Sequence, residues 1–253
     1  MITKPGSQTN QSIVDGIAVL QALAVSSTPV GGKELAEQLG LETTRANRLL
    51  KTLASIGITQ QTVGRKYQPG PGMHVLASQS LYASGLLRSA MPTLEKLSFF
   101  GRTVALGVLW NDSVSFLYHA KPGMSSTEAI GRIGLRTATN SGIGMVLLSQ
   151  LDQESVKHIY HDKLIPGYPE GITSLLNTLN AIRQQGYARV EVTSETPQIE
   201  NRPSHTVAVA IGNPINAAIA ISGWISESDT LEIAKELQHA KQTIEETLKD
   251  SNK

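Results

Sequence analysis

The chain has 253 residues, enough for two modest domains, with 22 Lys/Arg, 21 Asp/Glu and a formal net charge of +1. It holds no cysteine, which excludes disulfides, thiol catalysis and Cys-ligated zinc. No run approaches the roughly 18 apolar residues that a membrane-spanning helix requires, and the polar N-terminus lacks the apolar core of a leader, so the expectation is a soluble, cytoplasmic protein with no membrane partner. The near-neutral total hides an asymmetry. Residues 1–90 carry eight Lys/Arg against four Asp/Glu, a net of +4, and the remainder carries a net of −3. A basic head on an acidic body is expected when one domain meets a polyanion and the other does not.

Residues 1–10 are polar enough for a mobile arm. Ile13, Ile17, Leu20 and Ala24 then mark a first helix. Leu35, Ala36 and Leu39 form one face of a short second helix, stopped by Gly40, with Leu41 placed to tuck into the turn. Ala46, Leu49, Leu50, Leu53 and Ile56 make the apolar stripe of a third helix. Off that stripe lie Thr43, Thr44, Arg45, Asn47, Arg48 and Lys51, a face with three cations and no carboxylate. Such a face suits a phosphate-lined groove: Arg and Asn can make bidentate contacts to guanine and adenine edges, and threonine hydroxyls suit phosphate oxygens. An isolated cationic helix is more often a solvated surface, but here two strand-like segments follow, residues 58–63 and 66–68 around Gly64-Arg65. Helix, turn, helix and hairpin in that order predict a winged helix-turn-helix over residues 1–71, with Arg65 and Lys66 as wing contacts to double-stranded operator DNA.

Residues 72–91 contain Met73, Leu76, Leu81, Leu86 and Leu87 and are closed by Pro92, predicting a linker helix. Its apolar residues point to homodimerisation, which places two recognition helices on two half-sites. Residues 92–253 form the second domain. A helix over 93–100 precedes strands over 104–110 and 114–119 around Asn111-Asp112, and a further strand over 130–133. Helices follow over 141–151, 153–160 and 172–185. Strands over 187–192, 207–211 and 217–224 and a closing helix over 229–248 complete an α+β domain of sensor (GAF/PAS-like) type with an antiparallel sheet. The helix start Ser141-Gly142-Ile143-Gly144 offers freed N–H groups and close backbone approach to an anionic ligand. An ordinary tight turn with a serine N-cap is the competing explanation.

With these pieces in order, the chain resembles the IclR family of bacterial transcriptional regulators over nearly its whole length. The resemblance rests on Gln11-Ser12-Ile13 with Ile17, Val19, Leu20 and Leu23, on Leu35-Ala36 with Leu39-Gly40-Leu41, and on Arg48-Leu49-Leu50 with Thr52-Leu53 and Gly57. Tyr67 and Gly70 follow the wing, and Gly186-Tyr187-Ala188 and Ile221-Ser222-Gly223 continue the match. What the resemblance implies is an effector-binding second domain for a small organic acid or sugar-derived metabolite. It also implies dimers that pair into tetramers on DNA, and control of a catabolic operon, here as a repressor, with no cofactor or metal. The effector residues it implies are Ser141, Gly142, Ile143, Gly144, Val190, Thr206, Ala220 and Ser222, with His205 counted beside them. Departures from the family pattern include an insertion before Thr206, Thr206 where a Cys is common, His205 for a frequent Arg, Met145 for a Lys and Ala220 for a Ser.

Two other classes compete. An enzyme would draw on His158 and His161, whose spacing can set two imidazoles on one helical face, or on His205 with Ser204 and Glu200; no acidic ligand or Gly-x-Ser-x-Gly elbow accompanies either. Arg202 and His205 could instead pair with a carboxylated ligand. A constitutive DNA-binding protein whose second domain only oligomerises is the other alternative.

Overall fold

A computed structural model describes residues 10–131, 134–192 and 204–251, which divide into two compact units at Ser84/Gly85. The expected arm, Ile133, Glu200, Arg202 and the insertion before Thr206 lie outside the described residues, except for Asn10 and Ser204–Thr206 at the edges.

In the first unit, α1 (Gln11–Val25) is capped by the Asn10 side chain, which accepts from the Ser12 N–H. Next come α2 (Gly32–Leu39), stopped by left-handed Gly40, and α3 (Thr43–Ser55). The antiparallel pair β1 (Thr59–Gln61) and β2 (Tyr67–Pro69) forms the wing, and α4 (Pro71–Ser84) closes the unit. Val19, Leu23, Leu35, Leu50 and Tyr67 are the heart of its core, and a reciprocal pair of backbone hydrogen bonds between Val30 and Tyr67 adds a third edge to the wing. The first helix buries a different face from the one expected. Val19, Ala22 and Leu23 are inside with Asp15 and Gly16, whereas Ile13 and Ile17 are 63% and 45% exposed. The helix has two apolar stripes, and periodicity does not say which one meets α3.

The second unit is a three-layer structure around a six-stranded antiparallel sheet. In chain order its elements are α5 (Leu86–Leu97), β3 (Thr103–Trp110), β4 (Ser113–Ala120), α6 (Ser126–Ala129), β5 (Arg136–Thr137), α7 (Gly142–Leu148), α8 (Gln153–Ile159), α9 (Ile172–Gln185), β6 (Ala188–Val192), β7 (Ser204–Gly212), β8 (Ile215–Gly223) and α10 (Glu227–Ser251). Strand order is β5-β4-β3-β8-β7-β6. Alternation along the strands sends Val207, Val209, Ile211, Ile219 and Ile221 to one face, against α5 and α10. Ala105, Ala188, Ala208 and Ala220 stand in register on the other face, a flat bed on which α7 lies with α9 behind it.

The expected linker over 72–91 is two helices. Gly85, at φ 62°, parts α4 from α5, and Pro92 sits inside α5 instead of ending a helix. The buried stripe Leu86, Ala90, Leu94 and Leu97 runs past Pro92 into the sheet, and that packing outweighs the missing N–H. Of the strand expected over 130–133, only a bridge between Ile130 and Tyr118 falls among the described residues. The short elements α6 and β5 carry too few residues to show a period.

Candidate nucleic-acid interface and ligand site

Thr43, Thr44, Arg48 and Lys51 are exposed on the outer side of α3, whose inner side is anchored by buried Ala46 and Leu50. The wing is tied to this helix at its root, where the Thr59 hydroxyl donates to the Leu50 carbonyl at 3.3 Å. Arg65 and Lys66 are exposed at its tip. Arg65, not Gly64, takes the left-handed turn position, at φ 56°. Two of the expected contacts are partly buried within the unit. Asn47 is half-buried beside the start of α2, close enough that a Cβ on Gly32 would meet its Oδ1 at 2.1 Å. Arg45 is paired through Nε to Asp15 Oδ2 at 2.5 Å.

On the alanine-bedded face of the second unit, Val190, Thr206, Ser222 and Thr103 form one row across four strands. Thr206 Oγ1 and Ser222 Oγ are 2.7 Å apart. Gly142 backs onto this row, since a Cβ there would lie 2.7 Å from the Thr206 methyl. The structure therefore brings Ser141, Gly142, Val190, Thr206, Ala220 and Ser222 to one face. Thr103, not flagged by the sequence, completes the row, and Thr103 and Ser222 also border a hollow of about 450 Å³ with Phe100, Arg102, Pro122 and Trp224.

Three expectations about this site need correction. His205 is adjacent to Thr206 on β7 and so faces the α10 side, opposite Glu191 and parted from the others by the sheet. Ile143 is buried in the core under α7. The glycines of α7 make room for protein: a Cβ on Gly144 would lie 2.2 Å from the Ala138 carbonyl oxygen. Ser141 acts as an ordinary N-cap, its hydroxyl accepting from the Gly144 N–H at 3.4 Å.

Behind α7, Tyr160 is buried with no hydrogen-bond partner for its hydroxyl, as is Thr139 in the turn before Ser141. Burial, and then the nearby Asp112 carboxylate, push the Tyr160 phenol well above its ordinary range. Burial also raises Tyr168, whose hydroxyl reaches Met145 Sδ at 3.9 Å. For Asp112 burial works upward, but the Lys163 ammonium at 2.7 Å and the Ser113 hydroxyl leave its carboxyl below the ordinary value. None of these tyrosines carries a sequence signal beyond being apolar enough to bury. His158 and His161 do not share a helix, because α8 ends at Ile159, and His161 pairs with Asp162 at 2.9 Å.

A winged helix-turn-helix followed by a ligand-sensor-type α/β unit defines a DNA-binding transcriptional regulator. The IclR helix-turn-helix domain matches residues 12–62, and the C-terminal domain of the bacterial transcriptional regulator IclR matches residues 78–246. The acetate operon repressor of Salmonella typhimurium is 30% identical over 195 residues, spanning 74% of this chain and 71% of that protein. Among solved structures, an IclR-type regulator from a Silicibacter species superposes with a TM-score of 0.76 at 20% identity, covering 94% of this chain and 96% of its own. An IclR homologue from Microbacterium hydrocarbonoxydans, complexed with 4-hydroxybenzoate, gives 0.66 at 20% identity, covering 94% and 99%. The chain belongs to the IclR family of bacterial transcriptional regulators, whose members are DNA-binding regulators and not enzymes.

Proposed function

We propose that this regulator is a cytoplasmic repressor of a catabolic operon, which grips operator DNA through α3 and the wing and responds to a small carboxylate or sugar-derived acid in its second unit. The observation that carries the DNA half is the exposed set Thr43, Thr44, Arg48 and Lys51, with no carboxylate in α3 and the exposed cations of the wing tied beside it. The α3 face enters the major groove, and Arg65 and Lys66 hold the flanking backbone. The effector half is supported by the Thr206–Ser222 hydroxyl pair, whose O–H groups can donate to a carboxylate on the face shared by Ser141, Val190 and Ala220. The 4-hydroxybenzoate complex of the Microbacterium homologue points to the same ligand chemistry. A homodimer, paired into a tetramer on DNA, accounts for α4, which has no buried residue although it exposes Val75 and Leu76.

The test is selection of duplexes from a random pool with the purified protein, followed by binding of the Arg48→Ala variant to the winner. A loss of about tenfold or more is expected, and unchanged affinity overturns the assignment of α3. Melting against a panel of small carboxylates and sugar acids tests the sensor. No shift from any of them, in a protein that still selects DNA, overturns that half in favour of a constitutive binder. Sedimentation as a monomer on and off DNA removes the dimer.

A further inference from the structure

Arg45 occupies the first turn of α3, where a recognition helix meets base edges and where a positive charge is disfavoured by the helix dipole. Beneath it, on α1, Asp15 is 6% exposed, an unusual burial for a carboxylate in a unit built to meet a polyanion. Both of its oxygens are engaged. Gln11 Nε2 donates to Oδ1 at 2.8 Å, and Arg45 Nε stands 2.5 Å from Oδ2 as an ion pair, its buried N–H not directed at that oxygen as a hydrogen bond. Nε is the inner edge of a planar guanidinium. An ion pair at that edge leaves the two terminal nitrogens, with four N–H groups in fixed fork geometry, for something else. The Arg45 side chain remains 33% exposed, so the clamp does not bury it.

We propose that Asp15 is a positioning residue for sequence readout: its charge holds the inner edge of Arg45, so that the terminal fork is presented to a guanine edge in the groove. Gln11 fixes the carboxylate in turn. The gain is entropic, because a free arginine would lose its rotamer freedom on binding, whereas the clamped one has lost it on folding. The gain also belongs to the matched site, because non-specific binding to phosphates needs charge and not orientation. This inference rests on α3 being the recognition helix.

The experiment uses the full chain, a duplex selected by the wild type from a random pool, and a scrambled duplex of equal length. Melting of each variant is followed alongside. Asp15→Asn is expected to lower affinity for the selected duplex about tenfold while affinity for the scrambled duplex holds or rises, since a negative charge has gone. In an Arg45→Ala background Asp15→Asn is expected to change the ratio of the two affinities no further. A purely structural Asp15 would lower melting and leave that ratio intact, which overturns the proposal, as does a ratio change that adds to that of Arg45→Ala. Should Asp15→Asn fail to fold, Gln11→Ala decides. It removes one bond from the exposed end of α1, and the ratio falls severalfold if the clamp matters and stays put if it does not. A wild type that selects no duplex would instead overturn the assignment of α3 itself.

Discussion

The hydroxyls of Thr206 and Ser222 face each other at 2.7 Å across β7 and β8, yet the two residues are not equally placed: Thr206 is buried and Ser222 half-buried. Ser222→Ala leaves the Thr206 hydroxyl buried without its partner, and about 1 to 2 kcal/mol of stability should go. Thr206→Val keeps the shape and leaves only Ser222, which water can reach, so the loss should be smaller. The double variant should resemble Thr206→Val alone. Urea unfolding of the three chains checks the order, and equal costs for the two single variants would show that the pair does not carry the stability. If the proposed effector uses these hydroxyls, both single variants also lose the ligand-induced rise in melting.

Gly144→Ala sets two effects against each other. Alanine is the better helix former by about 1 kcal/mol, but its Cβ would lie 2.2 Å from the Ala138 oxygen and 2.4 Å from the Ala138 Cα. Backbone cannot swing aside as a side chain can, so a net loss of about 1 to 3 kcal/mol is expected. Gly64→Ala is the control: its nearest neighbour is the Thr62 hydroxyl at 4.0 Å, and the left-handed position of that turn belongs to Arg65. Thermal melting of the two variants separates them.

The helix-turn-helix was legible because its signal is local: a stripe at helical spacing, a glycine stop and a polar cationic outer face all lie within one segment. Facts that depend on a partner segment were not legible. Which stripe of α1 is inside depends on α3, and the run of α5 through Pro92 depends on Leu94 and Leu97 packing against the sheet. A glycine pair before an apolar run reads equally as a ligand cradle or as room for a neighbouring chain, and here Thr206 and Ala138 fill the room. His205 was misplaced for a simpler reason, since neighbours on a strand face opposite ways and it cannot share a site with Thr206. The Asp15–Arg45 pair spans 30 positions and two helices, and no periodicity announces it.

Tyr160→Phe should not destabilise the protein. The phenol oxygen is buried without a partner, so its transfer from water costs free energy on folding and returns no hydrogen bond. Removing it while keeping the ring should leave the melting temperature unchanged or raise it. A drop would mean that an ordered water or ligand group completes the hydroxyl, and would mark the space behind α7 as polar.

Asp112 links the β3–β4 turn to the segment that precedes the candidate site. Its backbone carbonyl accepts from the Ala138 N–H at 2.8 Å, and its carboxylate holds Lys163 at 2.7 Å. Because its folded pKa lies below the ordinary 3.8, the group stabilises the fold at pH values above 3.8. That contribution is lost as pH falls from there through the lowered folded value. Lys163→Met removes the ammonium and keeps the stem, so the Asp112 carboxyl should titrate at higher pH, followed by the NMR shift of its side-chain carbon. The stability gap between wild type and variant should be open at pH 7 and close in acid below the folded value. A gap that persists there would assign the effect to the packing of the lysine stem, because a protonated Asp112 has no charge left to offer.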